Sequence, residues 1–301
     1  MTDAIRIRAA GPGTTIQDDG RPGLLAYGLS ASGPMDRGAF AEAADGLETA
    51  GSAGIEISAG GLELVLEGET ELWIGAAGGR FVATLDGDPL DWPFTAIWEP
   101  GQVLRIVPGR AGNFAYLRAS RELDIPQVLG SRATNVRAAL GGLDGRALRA
   151  GDLLPLGPEA MRQPAEIYPA STREPLRVTW GLHAELFAPA VRQAFLDNAF
   201  AVTGAMDRMG MRLDDRHGVF RHAARLDLVS DLAVPGDIQI LGDGTPVVLG
   251  RDHQPTGGYP RIATVLPFDL DRLFQLRPGT LVSFESVSPE HAARLVRGST
   301  T

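Results

Sequence analysis

Apolar and polar residues alternate along much of the first half of the chain, which is the pattern of β-strands with one buried face. In Leu62-Glu-Leu-Val-Leu-Glu67 every second residue is a leucine. Glycine and proline separate such segments, as they do where turns join short strands. The Asp86-Gly87 pair predicts a hairpin turn between two of them. The predicted strands are residues 4–9, 54–58, 62–67, 71–74, 81–85, 103–107 and 113–119.

Few segments have the period of a helix. Residues 36–49 are one candidate, with Asp36 as the N-cap. Residues 189–198 are a second, because Pro189 stands in the first turn and apolar residues fall on one stripe. A short helix over residues 269–275 is expected to end before Pro278-Gly279. The chain is therefore predicted to be mainly β, with a few short helices.

The length of 301 residues suggests two domains or one large one. Residues 157–175 contain four prolines and no apolar period, which is typical of a linker. We therefore predict an N-terminal domain over residues 1–160 and a C-terminal domain over residues 161–301.

The chain has no lysine and no cysteine, so all 28 of its basic residues are arginine. A P-loop, a Schiff base and covalently attached biotin each need a lysine, and none of them can occur on this chain. The lack of cysteine likewise excludes thiolate catalysis, disulfides and cysteine–zinc sites. Five histidines show no HExxH spacing, so no metal site is predicted.

The net charge of −9 and the lack of a basic run argue against a nucleic-acid partner. The N-terminus lacks the apolar segment of a signal peptide, and no stretch is long enough to span a bilayer. We expect a soluble, cytoplasmic protein without a membrane partner.

The most polar segment is Arg251-Asp-His-Gln-Pro-Thr-Gly-Gly-Tyr-Pro-Arg-Ile262, which follows one apolar strand and leads into another. Loops held by buried strands often carry binding and catalytic groups, although a solvated surface turn is the alternative. A histidine beside a carboxylate can act as an acid–base group, but neighbours on an extended strand face opposite ways. The candidates here are Asp252, His253, Gln254, Thr256, Gly257, Gly258 and Tyr259.

Two further polar clusters lie elsewhere in the chain. In the segment from Thr14 to Asp36, polar side chains are able to orient a ligand, or an Asp18–Arg21 ion pair simply ties the loop to its domain. The adjacent Asp207 and Arg208 offer a carboxylate and a forked donor, or form a β-turn with an exposed ion pair. A turn at residues 130–134 is able to bind an anion through backbone N–H groups. The candidates in these segments are Gln17, Asp18, Arg21, Tyr27, Asp36, Arg132, Asp207 and Arg208.

Taken in order, these segments resemble the biotin-dependent carboxyltransferase-type family. It includes the C subunit of prokaryotic 5-oxoprolinase, KipA proteins, allophanate hydrolase subunit 2 and the carboxyltransferase region of urea carboxylase. The resemblance covers nearly the whole chain. In the polar loop this chain reads Asp252-His-Gln-Pro where the family pattern reads Asp-Arg-Gln-Thr. Matching segments are Thr14–Gln17, Gly20-Arg-Pro-Gly23, Ser32-Gly-Pro-Met-Asp36, Val128-Leu-Gly-Ser-Arg132, residues 140–157, Asp207-Arg-Met-Gly210, Val234-Pro-Gly236 and residues 252–263.

The resemblance implies two cyclophilin-like β-barrel domains, with the polar loops lining a cleft between them. It also implies ATP-dependent opening of 5-oxoproline to glutamate, in a complex with two partner subunits, one KipI-like and the other LamB/YcsF-like. ATP would be shared with these partners. We expect Asp207, Arg208, Asp252, Gln254 and Tyr259 to orient the substrate, with Asp252 or His253 handling a proton.

Two other functions stay open. One is that of a carboxyltransferase subunit that moves a carboxyl group from biotin on a separate carrier to a urea-like acceptor. The other is that of a non-catalytic, KipA-like module that binds a regulatory protein partner.

Overall fold

The computed structural model describes residues 3–159, 175–221 and 228–298. These residues form mainly strands, with four short α-helices among them, so the predicted mainly-β fold is confirmed. The chain divides into two compact units, whose sheets curl towards barrels. Unit 1 takes the described residues of Met1–Arg21 and Ser32–Ala165, and unit 2 those of Pro22–Ala31 and Glu166–Thr301. Most of the predicted linker, residues 160–174, lies outside the described residues, and the predicted domain limits stay a prediction.

Unit 1 is one antiparallel sheet of ten strands with a single helix among its described residues. Its strand order is β2-β3-β8-β4-β1-β10-β9, and β5 branches from β8 to pair also with β6 and β7. The helix is α1 (Arg37–Glu42). The strands are β1 (Ala4–Ala10), β2 (Thr15–Gln17), β3 (Gly54–Ile57), β4 (Leu62–Glu67), β5 (Leu72–Leu85), β6 (Asp88–Leu90), β7 (Phe94–Trp98), β8 (Val103–Ala119), β9 (Arg121–Leu123) and β10 (Leu153–Glu159).

The alternation seen in the sequence matches the burial in this sheet. All three leucines of β4 are buried, whereas Glu63, Val65 and Glu67 are only half-buried. The predicted hairpin is also confirmed, because Leu85 pairs with Asp88 across a two-residue turn. Both turn residues have positive φ, 50° and 92°, as a type I′ turn requires.

Four predicted strands are in fact two long ones, β5 and β8. The sequence pattern divided them because glycines interrupt the apolar alternation near Gly79 and Gly109. In the structure the two strands stay paired through these points, with register shifts between Gly78 and Phe81. A Cβ on Gly109 would lie 2.0 Å from the Arg80 carbonyl oxygen, so the glycine permits this close crossing.

Unit 2 is built around an eight-stranded sheet with the order β19-β12-β13-β16-β15-β18-β11-β20, and β14 pairs with β17 separately. Within the described part of this sheet, only β11 and β20 run parallel. The helices are α2 (Pro189–Asp197), α3 (Pro267–Gln275) and α4 (Pro289–Gly298). The strands are β11 (Leu176–Trp180), β12 (Phe200–Met206), β13 (Gly210–Asp214), β14 (Asp231–Leu232), β15 (Asp237–Ile240), β16 (Pro246–Leu249), β17 (Thr256–Gly257), β18 (Arg261–Val265), β19 (Leu281–Val282) and β20 (Phe284–Ser286).

The cores of the two units differ in composition. Unit 1 buries mainly aliphatic side chains from its strands. Unit 2 packs phenylalanines together, and the rings of Phe195 and Phe284 stack with centroids 4.9 Å apart. Phe195 is the buried residue of α2, which explains why that helix lies on the sheet.

The predicted helices are present with shifted limits. Asp36 caps α1 as predicted, but the helix ends at Glu42 rather than Thr49. Residues after Glu42 form tight turns, where the Ala43 carbonyl approaches Gly75 too closely for any larger residue there. Helix α4 was not predicted, although Ser288-Pro289 is a typical helix start. None of the described helices has the length and apolar character to cross a bilayer.

Candidate functional site

Each unit contains its own cluster of buried polar side chains. In unit 1 the cluster surrounds Ser32-Gly-Pro-Met-Asp36. Ser32 and Gly33 adopt positive φ values of 60° and 89°, so the turn is a strained one. Gly33 N donates to Gln17 Oε1 (3.1 Å), and Asn135 Nδ2 donates to Ser32 Oγ (3.1 Å). Gln17 is fully buried and therefore fixes the turn from beneath.

Glu56, on β3, holds the next part of the same turn. Its Oε2 accepts hydrogen bonds from Met35 N (2.8 Å) and Tyr116 Oη (2.9 Å). Tyr116 Oη in turn accepts from Asp36 N (2.8 Å). Both side chains are fully buried, and burial together with the Glu56 charge raises the pKa of Tyr116 well above 10. The Asp36 carboxylate accepts from Ala39 N as the cap of α1.

The loop that follows β2 is held within unit 1 by contacts of Asp18, Arg21 and Arg132. The Asp18 carboxylate accepts from Ser131 Oγ and Arg132 N, so the predicted anion-binding turn at residues 130–134 binds a carboxylate of the chain itself. The buried Arg21 guanidinium donates to the carbonyl oxygens of residues 128, 131 and 133. Arg132 Nε donates to the Ile125 carbonyl. Asp18 and Arg21 thus each bind the segment of residues 128–133, rather than forming the expected pair with each other.

In unit 2, Arg208 and Asp252 form a buried, two-pronged ion pair. Arg208 Nε lies 2.7 Å from Asp252 Oδ2 and Nη2 lies 3.2 Å from Oδ1. Asp252 N also donates to the Arg208 carbonyl (2.8 Å), which joins the β12–β13 turn to the polar loop. The exposed Asp207 accepts from Met209 N and Gly210 N within that turn. Arg208 therefore pairs with Asp252, not with its neighbour Asp207.

His253 is buried directly beside this pair. Its Nδ1 lies 2.8 Å from the Gln254 carbonyl oxygen, so in the neutral ring Nδ1 carries the hydrogen and Nε2 is the acceptor. Burial lowers the pKa of His253, and the hydrogen bond to Gln254 and the charges of Asp237 and Asp252 oppose this only in part. The ring is thus neutral near pH 7.

The polar loop covers one face of strand β15. The strand reads Asp237-Ile-Gln-Ile240, so the isoleucines enter the core while Asp237 and Gln239 point to the opposite face. Asp237 accepts from Thr264 Oγ1 (2.7 Å) and from Arg261 Nη1 (3.3 Å). We call the buried residues Asp237, Gln239, His253 and Arg261 the unit-2 polar layer.

Sequence reasoning missed Glu56, Tyr116, Asp237 and Gln239. The alternation in Asp237-Ile-Gln-Ile240 was a signal for the last two, because a charged and an amide residue share one face of an otherwise apolar strand. Glu56 and Tyr116 carried no comparable signal. They come from β3 and β8, far apart in sequence, and only strand pairing brings them together.

The other candidate residues lie at the edge of the unit-2 polar layer or away from it. Thr256 and Gly257 form strand β17, which pairs with β14. Gly258 packs against the Leu228 carbonyl, and Tyr259 is half-buried. Tyr27 is 85% exposed. Among the described residues, no three His, Asp or Glu side chains are grouped to hold a metal ion.

Comparison with known proteins identifies the family. Residues 27–286 match the family described as carboxyltransferase domain, subdomain A and B, and the chain belongs to this family. It is 32% identical to the C subunit of 5-oxoprolinase from Haemophilus influenzae, covering 99% of this chain and 94% of that protein. It is also 32% identical to the C subunit of 5-oxoprolinase from Escherichia coli, covering 96% and 93%.

A solved structure shares the fold. The urea amidolyase of K. lactis superposes with a TM-score of 0.85 and 26% identity over 98% of this chain. This chain spans only 19% of that much longer protein. The resemblance found in the sequence is thereby confirmed at the level of family and fold.

Proposed function

We propose that this chain is the C subunit of a 5-oxoprolinase complex, which opens the lactam of 5-oxo-L-proline to L-glutamate with ATP. The observation that carries the proposal is the end-to-end similarity to two proteins named as C subunits of 5-oxoprolinase, each 32% identical. Both matches cover more than nine-tenths of either chain, so they extend across both units. A likeness confined to one unit would support only a shared domain.

The polar loop of residues 251–262, together with Arg208, supplies the chemistry in this proposal. Arg208 and Asp252 hold each other, so we assign to this pair the positioning of the polar loop. In the proposed step, water attacks the lactam carbonyl carbon and the ring C–N bond breaks. His253, neutral and with Nε2 as acceptor, takes a proton from that water and returns it to the departing nitrogen, which becomes the amine of glutamate. Gln254 and Tyr259 then orient the substrate from the same loop.

Among the described residues of unit 2, the arginines with mostly buried side chains do not fit the phosphates of a nucleotide. Four arginines with mostly buried side chains already contact aspartates, and the sequence contains no P-loop lysine. We therefore assign ATP to a partner, either the KipI-like or the LamB/YcsF-like protein. The pairs are Arg177–Asp269, Arg208–Asp252, Arg251–Asp271 and Arg261 with Asp231 and Asp237.

The test is reconstitution with the two partner proteins. Glutamate formation from 5-oxo-L-proline should need ATP and all three chains, and should stop when this chain is left out. His253→Asn keeps a donor for the Gln254 carbonyl but lacks the acceptor nitrogen, so it should assemble and lose most turnover. Arg216→Ala, at an exposed pair, is the control. Full turnover without this chain would refute the proposal.

A second function is favoured by the structural likeness to urea amidolyase over 98% of this chain. In it, the chain transfers a carboxyl group from biotin to a urea-like acceptor. Since the chain has no lysine, biotin must be attached to another polypeptide. Avidin should then abolish the activity of the assembled complex, whereas 5-oxoproline hydrolysis should be insensitive to avidin.

A further inference from the structure

Strand β7 (Phe94–Trp98) is an edge of the unit-1 sheet. Among the described residues it pairs only with β5, and the register runs without a shift from Leu72 opposite Trp98 to Ala76 opposite Phe94. Alternate residues of an antiparallel strand point their N–H and C=O groups away from the paired neighbour. On β7 these groups have no hydrogen-bond partner in the part of the chain that the structure describes. The strand therefore offers a backbone edge to which another strand can bind.

The sequence of β7 does not protect this edge. Native edge strands usually carry a charged residue, a proline or a bulge that prevents another strand from pairing there. Residues 94–98 read Phe-Thr-Ala-Ile-Trp and pair with β5 without a bulge, so they have none of these features. An edge of this kind binds an extended segment by strand addition, in which backbone hydrogen bonds supply the affinity and side chains supply the specificity.

An exposed apolar pair lies on the outer face of the sheet beside this edge. Trp73 of β5 stands directly opposite Ile97 of β7, and the two side chains are 47% and 39% exposed. The segment after α1 covers the same face at Gly75, where a Cβ would lie 2.2 Å from the Ala43 carbonyl oxygen. Because this cover does not bury Trp73 and Ile97, Ile97 is able to contact a side chain of an added strand, and Trp73 extends the apolar surface behind it.

Two glutamates follow the apolar pair at one end. Glu71 and Glu99 are the next residues beyond the Leu72–Trp98 pair, and both are exposed. Neither forms an ion pair with the described residues. By strand alternation they lie on the same face as Trp73 and Ile97. The charge at this end of the edge therefore favours a basic residue in the added strand.

A second copy of this chain does not provide that residue. If two β7 strands paired with each other, the added strand would come from the segment around residues 94–98. The sequence from Asp86 to Leu104 contains three aspartates and one glutamate but no basic residue, so no register brings a cation to Glu99. The charges therefore favour a different polypeptide.

We propose that the β7 edge binds an extended segment of a partner subunit, in which an apolar residue contacts Ile97 and a basic residue contacts Glu99. The partner is the KipI-like or the LamB/YcsF-like protein, and in this choice the inference rests on the proposed function. The contact serves assembly and adds no group to the reaction.

Ile97→Asp tests this surface, and Val82→Asp is the matched control. Val82 is also an exposed aliphatic residue of the same sheet, but it lies on β5 opposite Val107 and outside the β7 pairing. Ile97→Asp places a carboxylate at the apolar contact, so it should weaken binding to one partner about tenfold or more in calorimetry with each purified partner. Val82→Asp should bind like wild type, and the melting temperatures of the two variants should be similar.

The charge contribution is tested by the double variant Glu71→Gln with Glu99→Gln. Wild-type binding should weaken as salt is added, because the ions screen the contact between the glutamates and the basic residue. The double variant should bind more weakly than wild type at low salt and should lose most of the salt dependence. A salt dependence equal to that of wild type would overturn the charge assignment and with it the proposed partner chemistry.

Hydrogen exchange of the wild-type complex tests the backbone contact. The amides of residues 94–98 should exchange more slowly in the complex than in the free chain, whereas those of residues 81–85 should be unchanged. The inference is overturned if Ile97→Asp binds with wild-type affinity, if exchange at residues 94–98 is unchanged, or if the free chain dimerises through this edge. When the complex still forms glutamate, these outcomes leave the proposed function standing. A wild-type chain that binds neither partner would refute both.

Discussion

Glu56 in unit 1 and Gln239 in unit 2 are both buried polar residues on central strands, yet their surroundings differ. Glu56 Oε2 accepts from a backbone N–H and a tyrosine hydroxyl. Gln239 Nε2 finds no acceptor in the part of the chain that the structure describes. The unit-1 cluster uses Glu56 to hold the Ser32–Asp36 turn, whereas the unit-2 polar layer contains one buried amide donor without an acceptor.

The two residues thus differ in whether their buried polar atoms are hydrogen-bonded. A fully hydrogen-bonded buried network makes one conformation rigid, and it leaves little for a ligand to add. A buried donor without an acceptor costs free energy, so replacing Gln239 by an apolar residue should cost less than replacing Glu56. The four predictions below are designed to break or sharpen the comparison between the two clusters.

The largest effect is expected at the Arg208–Asp252 pair in unit 2. Asp252→Ala leaves a buried guanidinium without its carboxylate, which should cost about 3–5 kcal/mol of unfolding free energy. Replacing both residues, as Arg208→Met with Asp252→Leu, should recover most of that loss. Urea unfolding of the single and double variants measures both values. A single variant as stable as wild type would show that the pair does not hold the loop.

In unit 1, Glu56→Leu should destabilise by about 2–4 kcal/mol, because Met35 N and the Tyr116 hydroxyl would lose their acceptor. Tyr116→Phe removes one of these donors, so its cost should be smaller, about 1 kcal/mol. Chemical unfolding gives both numbers. If Glu56→Leu is neutral while Gln239→Leu is destabilising, the contrast drawn between the clusters is reversed.

The two units should also respond differently to acid. All five histidines lie in the sequence of unit 2, and burial lowers the pKa of His253 and of His183 below 6.5. Below pH 6.5 the unfolded chain takes up protons that these folded rings do not bind, so stability falls as the pH falls. His253→Asn should reduce that slope, and His183 should supply the remainder.

Unit 1 has a different acid response at Asp3. Hydrogen bonds from Glu69 N and Arg121 lower the pKa of Asp3 to about 2. Its stabilising contribution is complete above the ordinary aspartate pKa of 3.8 and is lost as the pH falls through about 2. Amide hydrogen exchange, followed for each unit from about pH 7 to pH 4, should show unit 2 loosening first. Equal loosening of both units would count against the assignment to the histidines.

The smallest effect is expected at the exposed Arg216–Asp214 pair. Both side chains are more than half exposed, so Arg216→Ala should change the unfolding free energy by less than about 0.5 kcal/mol. It thereby calibrates the Asp252→Ala result within the same unit. A loss comparable to that of the buried pair would mean that burial does not decide the cost.

Local patterns predicted the elements better than the sites. The β4 alternation, the Asp86-Gly87 turn and the Asp36 cap each depend on residues a few positions apart, and the structure contains all three. The predicted limits of β5 and β8 were wrong, because a glycine bend and a strand end look alike in sequence. For the site, the pattern found the polar loop but not its partners on the sheet.

The sequence by itself determined the mainly-β fold, the family and the exclusion of the chemistry that lysine and cysteine would have provided, because these follow from residue types and near neighbours. The tertiary structure alone decided which polar groups satisfy one another. The folded chain pairs Arg208 with Asp252 rather than with Asp207. It also brings the Asp18 carboxylate within hydrogen-bonding distance of Arg132 N, and it places the Gln239 amide next to Gly257. A hydrogen bond depends on a distance of about 3 Å, and strand pairing sets that distance between residues far apart in the chain.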